Sequence, residues 1–354
     1  MTVAQSLARL DATWLDDVLG AGGSVHAVSV EPLAFTGATT DLARIRIDHG
    51  SGAVRRGGSG VSGPTSLIAK IRGVTDVQRQ MDAAIGMFHR EACFYRQLAA
   101  EVPVGSPRCF HVGDGDTTPL LLEDLGGHRM GDQVAGLAIA DAETMMRTLA
   151  RLHAAYWESP VIEQPWLLRH DTGAYPGLVA QLVQSGTSGL VRRFGDAVPG
   201  RVLDGVLALA ARWDQVLSTA CAGPPTLVHN DCRLDNVFFA EDGAPCLIDW
   251  QVVSRTRGTQ DVANLLAGSM NADDLATHWE RLLRLYHDGL VEHGVSGYGF
   301  DEALRHYRQN VFFPLGAGIA LLGAMSIDDD RSLGEVITRR CLRHIDDIDA
   351  LEAL

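Results

Sequence analysis

The sequence predicts an α+β fold, with a small β-rich first part and a larger, mainly helical second part. Three observations carry this expectation. Period-2 alternation of apolar and polar residues is concentrated between residues 28 and 123, helical periodicity dominates from there to the C-terminus, and a short block of strand signals sits inside the helical part. At 354 residues and 38.1 kDa the chain is long enough for two such parts. The boundary is placed at a glycine-bearing linker, dividing residues 1–123 from 124–354.

Taken in order, residues 1–20 carry Leu7, Leu10, Trp14, Leu15 and Val18 at helical spacing. Residues 28–35, 42–47 and 67–71 then alternate as the strands of a hairpin sheet with one polar face. Residues 50–64, rich in Gly and Ser, read as a long hairpin loop. A helix is expected over 77–100, followed by strands at 108–112 and 120–123 and the linker Glu123-Asp124-Leu125-Gly126-Gly127. The clearest helix runs over 141–157, with Asp141 as N-cap and Glu143 in its first turn. Further helices are expected over 201–220, 259–269, 272–293, 301–313 and 332–350, and short strands at 226–228, 236–239 and 245–248. The apolar stretch 312–325 contains Pro314 and several glycines and is too short to span a bilayer, so it reads as a buried helix.

The formal net charge is −14, and residues 121–354 carry −13 of it. A strongly acidic second part argues against a nucleic-acid partner and is compatible with a cationic small molecule, although a solvated acidic surface has the same signature. The six cysteines show neither CxxC pairing nor zinc spacing, and the first fourteen residues hold no apolar run of a secretory signal. A cytoplasmic protein with reduced thiols is the simplest expectation.

Of 30 basic residues only Lys70 is a lysine. A bias toward arginine codons is the simplest account of the others, which makes the survivor informative: an ammonium is a compact point charge, and a guanidinium a wide fork. Lys70 ends the strand-like run Ser66-Leu67-Ile68-Ala69-Lys70-Ile71. The block of strand signals in the second part reads Leu227-Val228-His229-Asn230-Asp231-Cys232-Arg233-Leu234-Asp235-Asn236-Val237-Phe238-Phe239, then Cys246-Leu247-Ile248-Asp249-Trp250-Gln251. An Asp followed five residues later by an Asn at the mouth of a strand places a carboxylate and an amide oxygen around one cavity. A second Asp at the end of the next strand adds another hard oxygen, a donor set suited to Mg²⁺. Asp231 is then left to orient or deprotonate a hydroxyl.

The pattern His-x-Asp-x-x-x-x-Asn over His229 to Asn236, followed by Ile248-Asp249-Trp250, resembles the catalytic and metal-binding motifs of the aminoglycoside phosphotransferase and choline kinase superfamily. The segments Arg90 to Tyr95 and Leu149 to Ala154 are similar to helices of that superfamily, and the stretch Tyr286 to Tyr298 looks more particularly like its ecdysteroid-kinase-like (CHK) branch. The resemblance implies a protein-kinase-like bilobal fold, with a nucleotide-binding N-lobe and a helical C-lobe. It also implies an ATP-dependent, Mg²⁺-dependent transfer of phosphate to a small-molecule alcohol. Asp231 then matches the catalytic Asp, Asn236 and Asp249 the Mg²⁺ ligands, Lys70 the lysine on the α/β-phosphates, and Glu91 its ion-pair partner. Glu123 to Leu125 match the segment that meets the base, and the amides of Gly37, Ala38, Thr39 and Thr40 are expected to cradle phosphate in place of a glycine-rich loop. The pair Trp250-Gln251 stands where protein kinases have Phe-Gly.

Other residues in these segments have plainer readings. His229 is expected to brace the loop, Asp235 to cap it, Cys232 to line it without reacting, and Asp261 to cap a helix or brace the same loop. An inactive nucleotide-binding relative and, less favoured, a protein kinase remain as alternatives. An aminoglycoside-like cation and a lipophilic alcohol are both open as acceptors. Trp279, Tyr298, Tyr307, Phe312 and Phe313 either line the acceptor pocket or pack a core.

Overall fold

The computed structural model describes residues 7, 10–33, 39–49, 63–324 and 333–354. They form two compact units, one of Met1–Glu101 with Ser106–His128, the other of Val102–Gly105 with Arg129–Leu354.

In the first unit, helix α1 (Ala12–Leu19) starts where the Asp11 carboxylate accepts the Trp14 amide, and it stops at Gly20, whose φ of 60° few other residues adopt. Five antiparallel strands come next, in the spatial order β1-β2-β3-β5-β4: β1 (Ala27–Pro32), β2 (Thr40–Asp48), β3 (Ser66–Arg72), β4 (Cys109–Val112) and β5 (Leu120–Glu123). Ala43, Ile45, Ile47, Leu67, Ala69, Ile71 and Leu121 line one face and join Leu7, Leu10, Leu15 and Val25 in a core. The register pairs Leu42 with Lys70 and Arg44 with Ile68, so these four share the opposite face. The helix expected over 77–100 is two helices, α2 (Asp76–Ile85) and α3 (Met87–Gln97). They part at Gly86, at φ 66°, which ends the first and begins the second. Helical periodicity does not register such a break, because it leaves the apolar positions on both sides in place. Most of the loop expected over 50–64 lies outside the described residues.

In the second unit, strands β6 (Arg129–Met130), β8 (Val237–Phe239) and β9 (Pro245–Leu247) form one small sheet, and β7 (Thr226–Val228) pairs with β10 (Ser254–Thr256). Around them are α4 (Ile139–Ala155), α5 (Tyr175–Phe194), α6 (Gly200–Ala210), α7 (Trp213–Cys221), α8 (Thr259–Ser269), α9 (Ala272–Glu292), α10 (Phe300–Asn310), α11 (Phe312–Ala324) and α12 (Leu333–Asp347). The helix expected over 201–220 is divided into α6 and α7. Helix α5 has no counterpart in the sequence reading. Its glycines and serines have low helix propensity, and packing decides its state: a Cβ on Gly186 would sit 1.9 Å from the Ile319 carbonyl oxygen, so α5 and α11 touch backbone to backbone. In α8 every residue except Asn264 is buried, which makes this helix the axle of the unit. Tyr298, Tyr307 and Phe312 are buried, and Trp279 lies parallel to Tyr307 with ring centroids 6.2 Å apart, as core packing requires. Among the described residues no helix is long and apolar enough to cross a membrane.

Candidate active site

Lys70, on β3, and Glu91, on α3, meet inside the first unit. Their Nζ and Oε2 atoms are 2.6 Å apart, with side chains 7% and 0% exposed. Helix α3 can bring a carboxylate there because its buried stripe, Phe88, Ala92 and Tyr95 among others, seats it inside the unit. Thr39 and Thr40 lead into β2 and are buried, and the Thr39 hydroxyl points at Met87 Sδ, 3.4 Å away. Gly37 and Ala38 lie outside the described residues. At the end of β5, the Glu123 carboxylate accepts the Arg108 amide at 3.1 Å, and Leu125 is buried. Between them, Asp124 accepts hydrogen bonds from Arg44 Nε (2.7 Å), the Ser66 hydroxyl and the Gly126 amide. Burial pushes its carboxyl pKa up, but the Arg44 and Ser66 bonds outweigh this and leave it below the ordinary value. No motif in the sequence points to Arg44 or Ser66.

In the second unit, the register Val237↔Leu247 puts Asn236, just before β8, and Asp249, two residues past Leu247, at one end of the β8–β9 pair. The Ile248 amide donates to the Asn236 carbonyl at 3.0 Å and closes that end. Asn236 Nδ2 donates both to the Asp231 carbonyl and to Asp231 Oδ2, each at 2.9 Å, so its amide oxygen faces elsewhere. Asp231 is half-buried, its side chain 32% exposed. Arg233 Nε lies 3.4 Å from it, and Arg233 Nη1 3.0 Å from Asp235. Burial disfavours the Arg233 cation, but Asp231, Asp235 and Asp249 together hold it more strongly protonated than usual.

His229 works as a brace. Its backbone amide donates to Asp261, its Nε2 lies 2.8 Å from the Ile248 carbonyl oxygen, and its Nδ1 accepts the Asp231 amide at 3.3 Å. The carbonyl contact assigns the ring proton to Nε2. Asp261 lies on α8 and also meets His153 Nε2 at 3.2 Å. Asp235 accepts the Gln133 amide, while Gln133 Oε1 accepts the Leu234 amide, so the middle of the loop is tied to the segment after β6. The thiol of Cys232 is fully buried, and burial raises its pKa well above normal, which makes it a poor nucleophile. Asp249 and Asn230 have positive φ, 65° and 71°. Non-glycine residues in that region gather at sites where the surroundings dictate geometry.

Among the described residues no group of three or more His, Cys, Asp or Glu side chains gathers as a metal site. One amide oxygen and one carboxylate is a sparse donor set. It fits Mg²⁺, which keeps waters and takes further oxygens from phosphates.

The fold is that of a kinase-like phosphotransferase of the choline kinase and aminoglycoside phosphotransferase superfamily. The chain belongs within it to the Ecdysteroid kinase-like family, whose sequence model matches residues 36–295. No curated protein matches the chain by sequence. Among solved structures it is similar to a choline kinase from Cryptosporidium parvum Iowa II, with a TM-score of 0.52 at 10% identity over 92% of this chain and 90% of that one. It is also similar to an ethanolamine kinase from Plasmodium vivax, with a TM-score of 0.53 at 13% identity over 88% and 82%. A third likeness is to the ADP-bound aminoglycoside phosphotransferase APH(2'')-Ib, with a TM-score of 0.50 at 15% identity over 97% and 98%. At such identities the likeness concerns the fold.

Proposed function

We propose that the chain is an ATP-dependent small-molecule kinase that moves the γ-phosphate of ATP to a hydroxyl group of a small alcohol. The observation that carries this reading is the pairing of Asp231 with Asn236 at the mouth of β8, with Asp249 at the same end of the strand pair. Lys70, held by Glu91, binds the α/β-phosphates, and the segment Glu123–Leu125 meets the base. Asn236 and Asp249 would hold Mg²⁺, which supplies charge neutralisation to the phosphates when bound. Asp231 orients the acceptor hydroxyl and takes its proton as the oxygen attacks the γ-phosphorus; the bond from that phosphorus to the bridging oxygen breaks, and ADP leaves. Such chemistry asks the protein mainly for positioning and fixed charge. The loop offers both, because the groups that aim Asp231 are hydrogen-bonded from either side.

The acceptor is an alcohol, either a polycation suited to the acidic second part or a lipophilic molecule as the family name suggests. A metabolite screen read by ADP release, with Asp249→Ala as blank, would identify it. Asp231→Asn should keep nucleotide affinity within a few-fold and lower turnover by orders of magnitude. Full turnover in that variant would overturn the assignment, and absence of ADP release with every acceptor would favour an inactive nucleotide-binding protein.

A further inference from the structure

The residue before Asp231 is gripped at three points by a single helix. The Asn230 amide donates to Asp261 Oδ1 at 2.7 Å, its carbonyl accepts Asn264 Nδ2 at 2.8 Å, and its side-chain oxygen accepts Gln260 Nε2. Gln260, Asp261 and Asn264 occupy one turn near the start of α8. Three anchors on separate groups define the orientation of a rigid body, so α8 dictates how Asn230 sits, including its positive φ. Asparagine is among the few residues other than glycine that visit this region readily, and it is one whose side chain can also accept a hydrogen bond.

Gln260 is the least expected of the three. Its side chain is fully buried, and its Oε1 has no hydrogen-bond partner among the described residues. A buried, bare amide oxygen opposes folding, and a leucine of similar size would avoid it. The amide nitrogen also lies 3.4 Å from His170 Nε2, which is 3.2 Å from the Ser254 hydroxyl on β10. Gln260 is therefore held from behind while it holds Asn230 in front.

We propose that Gln260 is a positioning residue for phosphate transfer: by fixing the side chain of Asn230 it completes the three-point anchor that aims the Asp231 carboxylate at the acceptor. The inference rests on the reading of Asp231 as the base. The Asp231 carboxylate is itself held by Asn236 Nδ2 and Arg233, but its backbone amide reaches only His229 Nδ1, at 3.3 Å, so the backbone from which that carboxylate projects is set largely by Asn230.

The test compares Gln260→Leu, Asn230→Gly and their double variant, by ADP release with the acceptor from the screen, by melting temperature, and by hydrogen–deuterium exchange over residues 229–236. Glycine tolerates the backbone conformation but offers no side chain to hold. Each single variant should lower kcat by about 10- to 100-fold, the scale expected of a reacting group displaced by about an ångström. KM for ATP should stay at its original value, the melting temperature should not fall, and exchange over 229–236 should quicken. The double variant should be no worse than either single one, because both remove the same contact. Additive losses, unchanged kcat, or a fall in kcat matched by a fall in melting temperature would each overturn the proposal. Asp231→Asn keeps the two readings apart. Full turnover there defeats the assignment of the base, whereas quickened exchange with unchanged kcat in Gln260→Leu defeats only the positioning role.

Discussion

Nζ of Lys70 and Oε2 of Glu91 are 2.6 Å apart in the interior of the first unit. A buried ion pair is a poor source of net stability, since both charges have lost their water, but removing one partner strands the other. Glu91→Gln should therefore lower stability by about 3 kcal/mol and raise KM for ATP, as the ammonium loses the carboxylate that holds it. Denaturant titration and steady-state kinetics check both. Lys70→Arg should bind nucleotide poorly despite keeping the charge, because the planar fork does not fit a site built around a point charge.

Arg44 and Ser66 both reach Asp124, the middle residue of the segment proposed to meet the base. Arg44→Met would leave the Asp124 carboxylate with Ser66 and the Gly126 amide, and the segment would be free to shift. The expected result is a rise of a few-fold in KM for ATP with kcat nearly unchanged, the signature of lost ground-state binding. Fluorescent-nucleotide titration of the variant gives an independent reading.

Arg257 is 1% exposed. Its guanidinium donates to the carbonyl oxygens of Thr219 and Ala220, at the end of α7, and to Gln309 Oε1. The negative end of the helix and an amide oxygen thus stand in for a counter-ion. Burial pulls its pKa down to about 10, so it stays charged at neutral pH. Arg257→Leu removes three charge-assisted hydrogen bonds, although Asn310 Nδ2 still reaches the Ala220 carbonyl and the Ala222 amide that of Thr219, and should cost about 2–4 kcal/mol, seen as a lower denaturation midpoint.

His306 and His344 are buried, and burial lowers each pKa to about 3 from 6.5. The unfolded chain takes up their protons below pH 6.5 and the folded chain does not, so stability falls as the pH drops from 6.5 toward 3. The slope approaches about 1.4 kcal/mol per pH unit for each histidine. His344 Nε2 lies 2.7 Å from the Tyr307 hydroxyl. His344→Gln keeps a hydrogen-bonding group there and should flatten part of the slope between pH 6.5 and 4; an unchanged slope would rule His344 out as its source.

Much of the candidate site could be read directly because its chemistry is local. Asp231, Asn236 and Asp249 lie within 19 residues of one another, on a short strand pair whose register is set by alternation. The partners that aim them are distant in sequence. Gln133 reaches Leu234 from about a hundred positions earlier, Asp261 reaches His229 from 32 later, and Arg44 reaches Asp124 across 80. No periodicity links such pairs. Asp261 is legible as a brace from its segment, but its neighbours Gln260 and Asn264 carry no signal beyond standing on the same turn.

By itself the sequence determined the alternation of β and helical parts and the order of most elements, and it singled out the side chains proposed to carry the chemistry, because these depend on side-chain type and short-range spacing. Only the tertiary structure decided the breaks at Gly86 and between α6 and α7, the helical state of α5, and the orientation of Asn230. Each of these depends on what an element packs against. A glycine-rich segment becomes a helix when a neighbouring backbone needs its missing side chains, and a residue adopts a left-handed conformation when three hydrogen bonds from one helix leave it no other.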